Sequence, residues 1–169
     1  MTSVSPWTWL VLSLFALCTG LHALSLRQKL RWPFHTHCRV MGTLWSLWNV
    51  SLVGLTLLLP SVISLPLSMR IFGVILVLLG LALSTWHRLL LGRKKFMGGR
   101  CFDRQYDTWT SGGLYRFLKN PVYDGIILTF VGLAFWRENT DFLILALASF
   151  LFFNIFMVRI EGAPPPSNH

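Results

Sequence analysis

The residues best suited to chemistry lie in one run, Ser111-Gly-Gly-Leu-Tyr-Arg-Phe-Leu-Lys-Asn-Pro-Val-Tyr-Asp-Gly125. Its glycines let a backbone approach a ligand closely. Its tyrosines carry amphipathic rings that suit a membrane interface. Arg116 and Lys119 can hold an anionic group, either a carboxylate or a phosphate, and Asn120-Pro121 marks a turn that can open a helix. The mixture fits a polar ligand bound at a membrane surface. It also fits an ordinary interfacial turn, because Tyr and Lys anchor many spans and Asn-Pro starts many helices. Asp124 would then serve the first turn of the next helix, where a negative charge favours the helix dipole. The sequence contains no recognisable nucleophile–base triad, and no carboxylate pair flanks a cleft.

The elements that must position this run are hydrophobic. The 169-residue chain is 54% hydrophobic and only 12% charged, against roughly 25% charged residues in a soluble domain. A spanning helix needs about 20 apolar residues, and five segments come near that length: Trp7–Leu26, Val40–Leu59, Leu67–Leu91, Tyr123–Trp136 and Phe142–Val158. The predicted fold is therefore all-α, an integral membrane bundle of about five transmembrane helices. The last two form a hairpin across the charged turn Arg137–Asp141. Tyr123–Trp136 is short for a full span, which fits a tilted or partly inserted hairpin. Gly73 and Gly80 lie seven apart on one side of the third span, where small residues allow close helix contact. The first segment has no basic residues before it and the chain stays hydrophobic after it, so it reads as a retained span rather than a secretory signal. Pro164-Pro165-Pro166 keeps the tail Gly162–His169 from being helical there.

The net charge of +9 sits between apolar spans, which points to anionic headgroups rather than nucleic acid. Basic residues concentrate in Arg27–Arg39 and in Arg88–Asn120. Counting spans puts both on one side, which the positive-inside rule makes cytosolic. The N-terminus and the Pro60–Pro66 and Arg137–Asp141 turns are then outside, and the tail is cytosolic. The membrane could be a bacterial inner membrane or endoplasmic reticulum. Span interiors lack the charged residues that mark ion paths; Asn49 and Asn154 are expected to make helix-to-helix hydrogen bonds. Cys18, Cys38 and Cys101 match no metal or disulfide pattern.

The order Gly113-Leu-Tyr115-Arg116-Phe-Leu-Lys119-Asn120-Pro121-Val-Tyr123 resembles the signature of the membrane methyltransferases that include isoprenylcysteine carboxyl methyltransferase and the phospholipid N-methyltransferases. Gly125 also matches a common family glycine, and the resemblance covers roughly Trp86 to Glu161. It implies S-adenosylmethionine as methyl donor and a lipophilic acceptor entering from the bilayer. It further implies that Gly113, Tyr115, Arg116, Asn120, Pro121, Tyr123 and Glu161 surround the donor near the cytosolic surface. Methyl transfer from a sulfonium needs alignment and water exclusion rather than a covalent nucleophile. His87, at the end of the third span, is a candidate base for an amine or thiol acceptor; a His at a span end also serves simply as an interface residue.

The chain departs from the family after Arg159, where an adjacent acidic pair is usual and Ala163-Pro164 stands instead. Three explanations are open: a pocket closed by Glu161 and the tail, a shortened form of a longer enzyme, or a non-catalytic membrane protein that keeps the fold as scaffold or lipid binder. The expected organisation is a single membrane domain, with anchoring helices over 1–66, a methyltransferase core over 67–161 and a flexible tail over 162–169. The expected partners are membrane lipids and a lipophilic methyl acceptor.

Overall fold

The computed structural model describes residues 4–27, 29–103, 118, 120–157 and 159. They form five helices, α1 (Pro6–Leu26), α2 (Phe34–Leu58), α3 (Leu67–Phe96), α4 (Pro121–Arg137) and α5 (Asp141–Leu151). A short 3₁₀ turn, Gly99–Cys101, follows α3, and a π-helical turn, Phe152–Met157, continues α5. No strand occurs among the described residues. Three helical stretches, Pro6–Leu26, Phe34–Leu58 and Leu67–Gly92, are long and apolar enough to cross a membrane. Their outward faces carry large apolar side chains such as Val50, Leu57 and Leu89, each more than two-thirds exposed. A soluble monomer would not present such a surface, so these faces belong against lipid. α4 has 17 residues and rises only about 25 Å at 1.5 Å per residue, short of a ~30 Å hydrocarbon core.

Local chemistry explains the helix limits. Ser5 caps α1 through its hydroxyl, which accepts from the Trp7 N–H at 3.3 Å, and Pro6 supplies the first turn. α2 begins at Phe34, six residues before the segment expected from Val40, because Pro33 caps it in an extended conformation. The early turns of α2 bury Cys38 and Met41 against Met97, with Phe34 packed beside them. α3 breaks at Gly92 (φ 68°, ψ 161°), one residue past the predicted end of the third span. Beyond this kink the chain turns back far enough for the Arg88 guanidinium to lie 5.0 Å from the Phe96 ring centre. The fifth segment is not uniformly α-helical, since its second part is the π turn.

α3 packs most extensively on α4, and α4 turns back on α5 as the expected hairpin. The α3 contact face is a heptad stripe of Gly73, Val77, Gly80, Ser84 and His87; Val77, Ser84 and His87 are all buried. On α4 the matching stripe is Gly125, Thr129 and Gly132. The helices run antiparallel, so Gly73 meets Gly132 and Gly80 meets Gly125. A methyl group on Gly80 would lie 2.5 Å from the Gly125 carbonyl oxygen, and one on Gly132 would lie 2.7 Å from the Gly73 carbonyl oxygen. The glycines thus set the distance between the two backbones.

One end of the bundle is closed by the charged turn after α4. Glu138 adopts a left-handed conformation (φ 56°) as the α4 C-cap. Its carbonyl accepts from the Val62 and Ile63 N–H groups at 2.9 and 3.1 Å, and its carboxylate accepts from Leu65 N–H at 2.8 Å. Arg137 donates to the Leu59 carbonyl at 3.1 Å and Asn139 to the Pro60 carbonyl at 2.8 Å. Asp141 accepts from the Ser5 N–H and the Thr8 hydroxyl at 3.1 and 2.6 Å. The start of α1, the α2–α3 connection and the α4–α5 turn therefore share one end of the molecule, as the span count requires. Within this turn Asn139 and Asp141 are built into the structure, 1% and 8% exposed.

Candidate functional site

The opposite end holds the described part of the candidate run. Asn120 sits at the N-cap of α4 in a non-helical conformation (φ −147°, ψ 83°). Its carbonyl accepts from Tyr123 and Asp124 N–H at 3.0 and 3.1 Å, but its side chain makes no capping bond. Pro121 occupies the first turn, where a missing N–H has no consequence, and both Pro121 and Val122 are buried. Tyr123 lies flat on Phe153 of the π turn, with centroids 4.1 Å apart and planes 6° from parallel. Phe153 in turn meets Phe15 of α1 edge-on at 5.8 Å. Gly125 closes on Gly80 and Ser84, so the first turn of α4 is held against α3 on one side and the π turn on another.

His87 continues the α3 stripe toward this end. His87 lies about one turn beyond Ser84, which meets Gly125 of α4. It is 0% exposed, so it is a buried side chain of the α3–α4 contact rather than an interface residue. Its Nδ1 lies 3.0 Å from the Leu83 carbonyl oxygen. A carbonyl can only accept, so Nδ1 carries the hydrogen and, in a neutral ring, Nε2 carries the lone pair.

Of the residues singled out in the sequence, Asn120, Pro121, Tyr123 and His87 come together at this end. Gly113, Tyr115, Arg116, Lys119 and Glu161 lie outside the described residues, as do the tail and the positions of the missing acidic pair. The sequence did not single out Phe153, Ser84 or the uncommitted amide of Asn154. An aromatic residue in an apolar span carries no sign of what it will stack on. Ser84 could have been found as the next member of the Gly73/Gly80 heptad. The expectation of helix-to-helix hydrogen bonds for Asn49 and Asn154 is not met: Asn49 donates back to Trp45 of its own helix at 2.6 Å, and the buried Asn154 Nδ2 has no partner.

A family model described as phospholipid methyltransferase matches residues 68–163, more than half of the 169-residue chain. The chain belongs to the phospholipid methyltransferase family. Comparison with curated proteins and with solved structures returns no match. The family segment takes in α3, α4, α5 and the π turn, with the whole Gly113–Tyr123 run between α3 and α4. With three helices able to cross a bilayer, this phospholipid methyltransferase family member is a membrane protein, and its family is one of membrane methyltransferases.

The described part of the site fits the polar methyl donor such a family implies. The buried Asn154 Nδ2 is without a partner, and the Asn120 amide makes no capping bond. Asn154 directly follows Phe153, whose ring is stacked on Tyr123. Two uncommitted amides beside an aromatic stack are donors and surfaces that an adenosyl group can use.

Proposed function

We propose that this protein is an integral membrane S-adenosylmethionine-dependent methyltransferase acting on a lipophilic acceptor. The observation that carries the reading is the family match over residues 68–163, centred on the ordered run Gly113–Tyr123. When bound, the donor supplies a methyl group on a positively charged sulfur. Gly113, Tyr115, Arg116, Asn120, Pro121, Tyr123 and Glu161 would hold it, the described ones standing where α4 begins. The N-terminus lies outside and this end faces the cytosol, where the basic residues of Arg27–Arg39 and Arg88–Asn120 meet anionic headgroups. Residues 1–66 act as anchoring helices and 67–161 as the methyltransferase core.

The donor would supply the methyl carbon, its bonding electrons staying on sulfur, and the protein would align the acceptor's lone pair with that carbon. An amine acceptor must then lose a proton. His87, whose Nδ1 donates to the Leu83 carbonyl, is the candidate for that role. The protein's main contribution is alignment: the glycine-set contact of α3 with α4 fixes His87 relative to Asn120, and buried apolar side chains exclude water. The family's description makes a phospholipid amine the first acceptor to test, with a prenylcysteine carboxylate next.

The test is binding of S-adenosylhomocysteine to the detergent-purified protein by calorimetry, followed by transfer of labelled methyl from S-adenosylmethionine into phosphatidylethanolamine vesicles. Saturable binding that Tyr123→Ala and Asn120→Ala weaken, with the protein still accumulating, is the expected result. Absence of binding by wild type would favour the non-catalytic scaffold, the reading that the missing acidic pair near Ala163-Pro164 supports.

A further inference from the structure

A buried joint ties the segment that follows α3 to the two N-terminal helices, which lie outside the family match. His37, in the first turns of α2, is 0% exposed. Its Nε2 lies 3.1 Å from the Met97 carbonyl oxygen and its Nδ1 lies 2.8 Å from the Ser25 hydroxyl. The carbonyl can only accept, so Nε2 donates, and in the neutral ring Nδ1 then accepts from the Ser25 hydroxyl. The ring is a bridge whose two sides are both used, between α1 and the chain just beyond the α3 kink. Phe102 packs against the same ring at 4.9 Å and Phe34 at 6.4 Å. The next residue after Met97 is fixed as well. Gly98 holds a left-handed conformation (φ 73°) directly against Leu26 of α1, where a methyl group would come within 2.5 Å of the Leu26 side chain.

What this joint holds matters for the site. Met97 and Gly98 lead into the 3₁₀ turn, and Cys101 of that turn belongs to the same apolar core as Leu26, Phe153 and Met157, with Tyr123 and Phe102 packed on it. The joint thus holds Met97, Gly98 and the 3₁₀ turn against α1 and against the core that includes Phe153.

We infer that His37 is a positioning residue for the methyl-transfer site: oriented by Ser25, it clamps the Met97 carbonyl and so holds Cys101 and Phe102 in the core on which Tyr123 and Phe153 pack. This rests on the methyltransferase reading above. His37 acts through Met97 and makes no contact with the donor.

Two variants separate its hydrogen bonds from its bulk. His37→Phe keeps a flat ring against Phe34 and Phe102 but removes both bonds. His37→Gln offers an amide N–H for Met97 and an amide oxygen for Ser25. Each full-length protein is tested for S-adenosylhomocysteine binding by calorimetry and for the rate at which a water-soluble maleimide labels Cys101, mapped by peptide mass spectrometry. Cys101 is only 9% exposed, so its labelling reports release of the 3₁₀ turn without reference to any ligand. The expected result for His37→Phe is labelling faster by about tenfold and affinity weaker by about tenfold (~1.4 kcal/mol), with His37→Gln within about threefold of wild type in both. Ser25→Ala, which leaves the packing intact, should move both readouts in the same direction by a smaller factor, and it carries the test if His37→Phe does not accumulate. Unchanged Cys101 labelling in His37→Phe, or in Ser25→Ala where that variant stands in, would show that no clamp exists. Faster labelling with unchanged affinity would show that the clamp does not position the site. Equal loss in His37→Phe and His37→Gln would overturn the role of the two bonds. A wild type that binds no S-adenosylhomocysteine would sink the methyltransferase reading and the positioning role with it, while Cys101 labelling would still decide whether the clamp exists.

Discussion

Gly80→Ala is the sharpest perturbation of the contact that holds the candidate site together. The added methyl would meet the Gly125 carbonyl oxygen and the Thr129 hydroxyl at 2.5 Å and the Thr129 backbone nitrogen at 2.7 Å, whereas ordinary contact begins near 3.4 Å. Two of those three atoms are backbone, so rotating a side chain cannot relieve the clash. α4 has to withdraw by about 0.9 Å, the difference between those distances. Overpacking of this kind costs about 1–3 kcal/mol, offset in part by up to ~1 kcal/mol from the better helix propensity of Ala. The displaced element is the first turn of α4, so Tyr123 moves off Phe153 and Asn120 moves relative to His87. A misplacement near 1 Å lowers a positioned reaction by about 10²-fold. Gly54→Ala is the matched control, because nothing lies within 4 Å of a methyl group there; it should melt at or above wild type. The assay is thermal unfolding in detergent alongside methyl transfer. Gly80→Ala melting with Gly54→Ala would refute the close-contact argument. A destabilised Gly80→Ala with full activity would refute the link from that contact to the site.

Three further perturbations address other joints. Asp141→Ala removes the acceptor of the Thr8 hydroxyl, which is 0% exposed; a loss of about 1–3 kcal/mol should appear in a denaturant titration, with Asp141→Asn losing less because it keeps an oxygen. Gly92→Ala forces an L-residue into φ 68°, ψ 161°, at about 1–3 kcal/mol, and should lower the melting temperature where Gly20→Ala, with open space and no such backbone demand, does not. Glu138→Gly should be close to neutral, since relief of the left-handed backbone offsets the lost carboxylate bond to Leu65 N–H. Glu138→Ala loses that bond and keeps the strain, so it should melt below both.

The sequence made the helices legible because their signals are local. Apolar length located five elements, and the third segment's predicted end at Leu91 falls one residue before the Gly92 break. The start of α2 was missed because Arg39 and the histidines before it look polar. The structure shows that His37 is buried by bonds to Ser25 and Met97, partners 12 and 60 residues away. Gly73 and Gly80 were visible as a stripe, but its meaning lay in Gly125 and Gly132, which repeat the same seven-residue spacing on the antiparallel partner. The Tyr123–Phe153 stack needed both the hairpin and the π turn, and no single-helix periodicity encodes that shift of register. The motif itself was readable as an ordered pattern of residue types, because binding chemistry depends on identity more directly than packing does.

The two ends of the bundle are built differently, and the difference follows from what each must do. At the α4–α5 turn, Asn139 and Asp141 are buried and use their side-chain oxygens or amide on backbone or hydroxyl partners. Arg137 also spends a donor there, on the Leu59 carbonyl, although its Nε is buried without a partner. Groups spent in this way lock three connections and are not available to a ligand. At the other end, polar capacity is left uncommitted in the Asn120 side chain, which does not cap its own helix, and in the Asn154 amide nitrogen, which is buried without a partner. An unsatisfied buried donor costs about 1–3 kcal/mol, so a bound polar group that accepts from it would recover that cost on binding. The locked end also explains why this does not unravel the helix hairpin. α4 and α5 are joined at this hydrogen-bonded turn, and their far ends, Pro121–Gly125 and Phe152–Met157, are the parts that adapt. A ligand at those far ends should therefore raise the protection of Phe152–Met157 amides in hydrogen exchange far more than that of Asp141–Leu145.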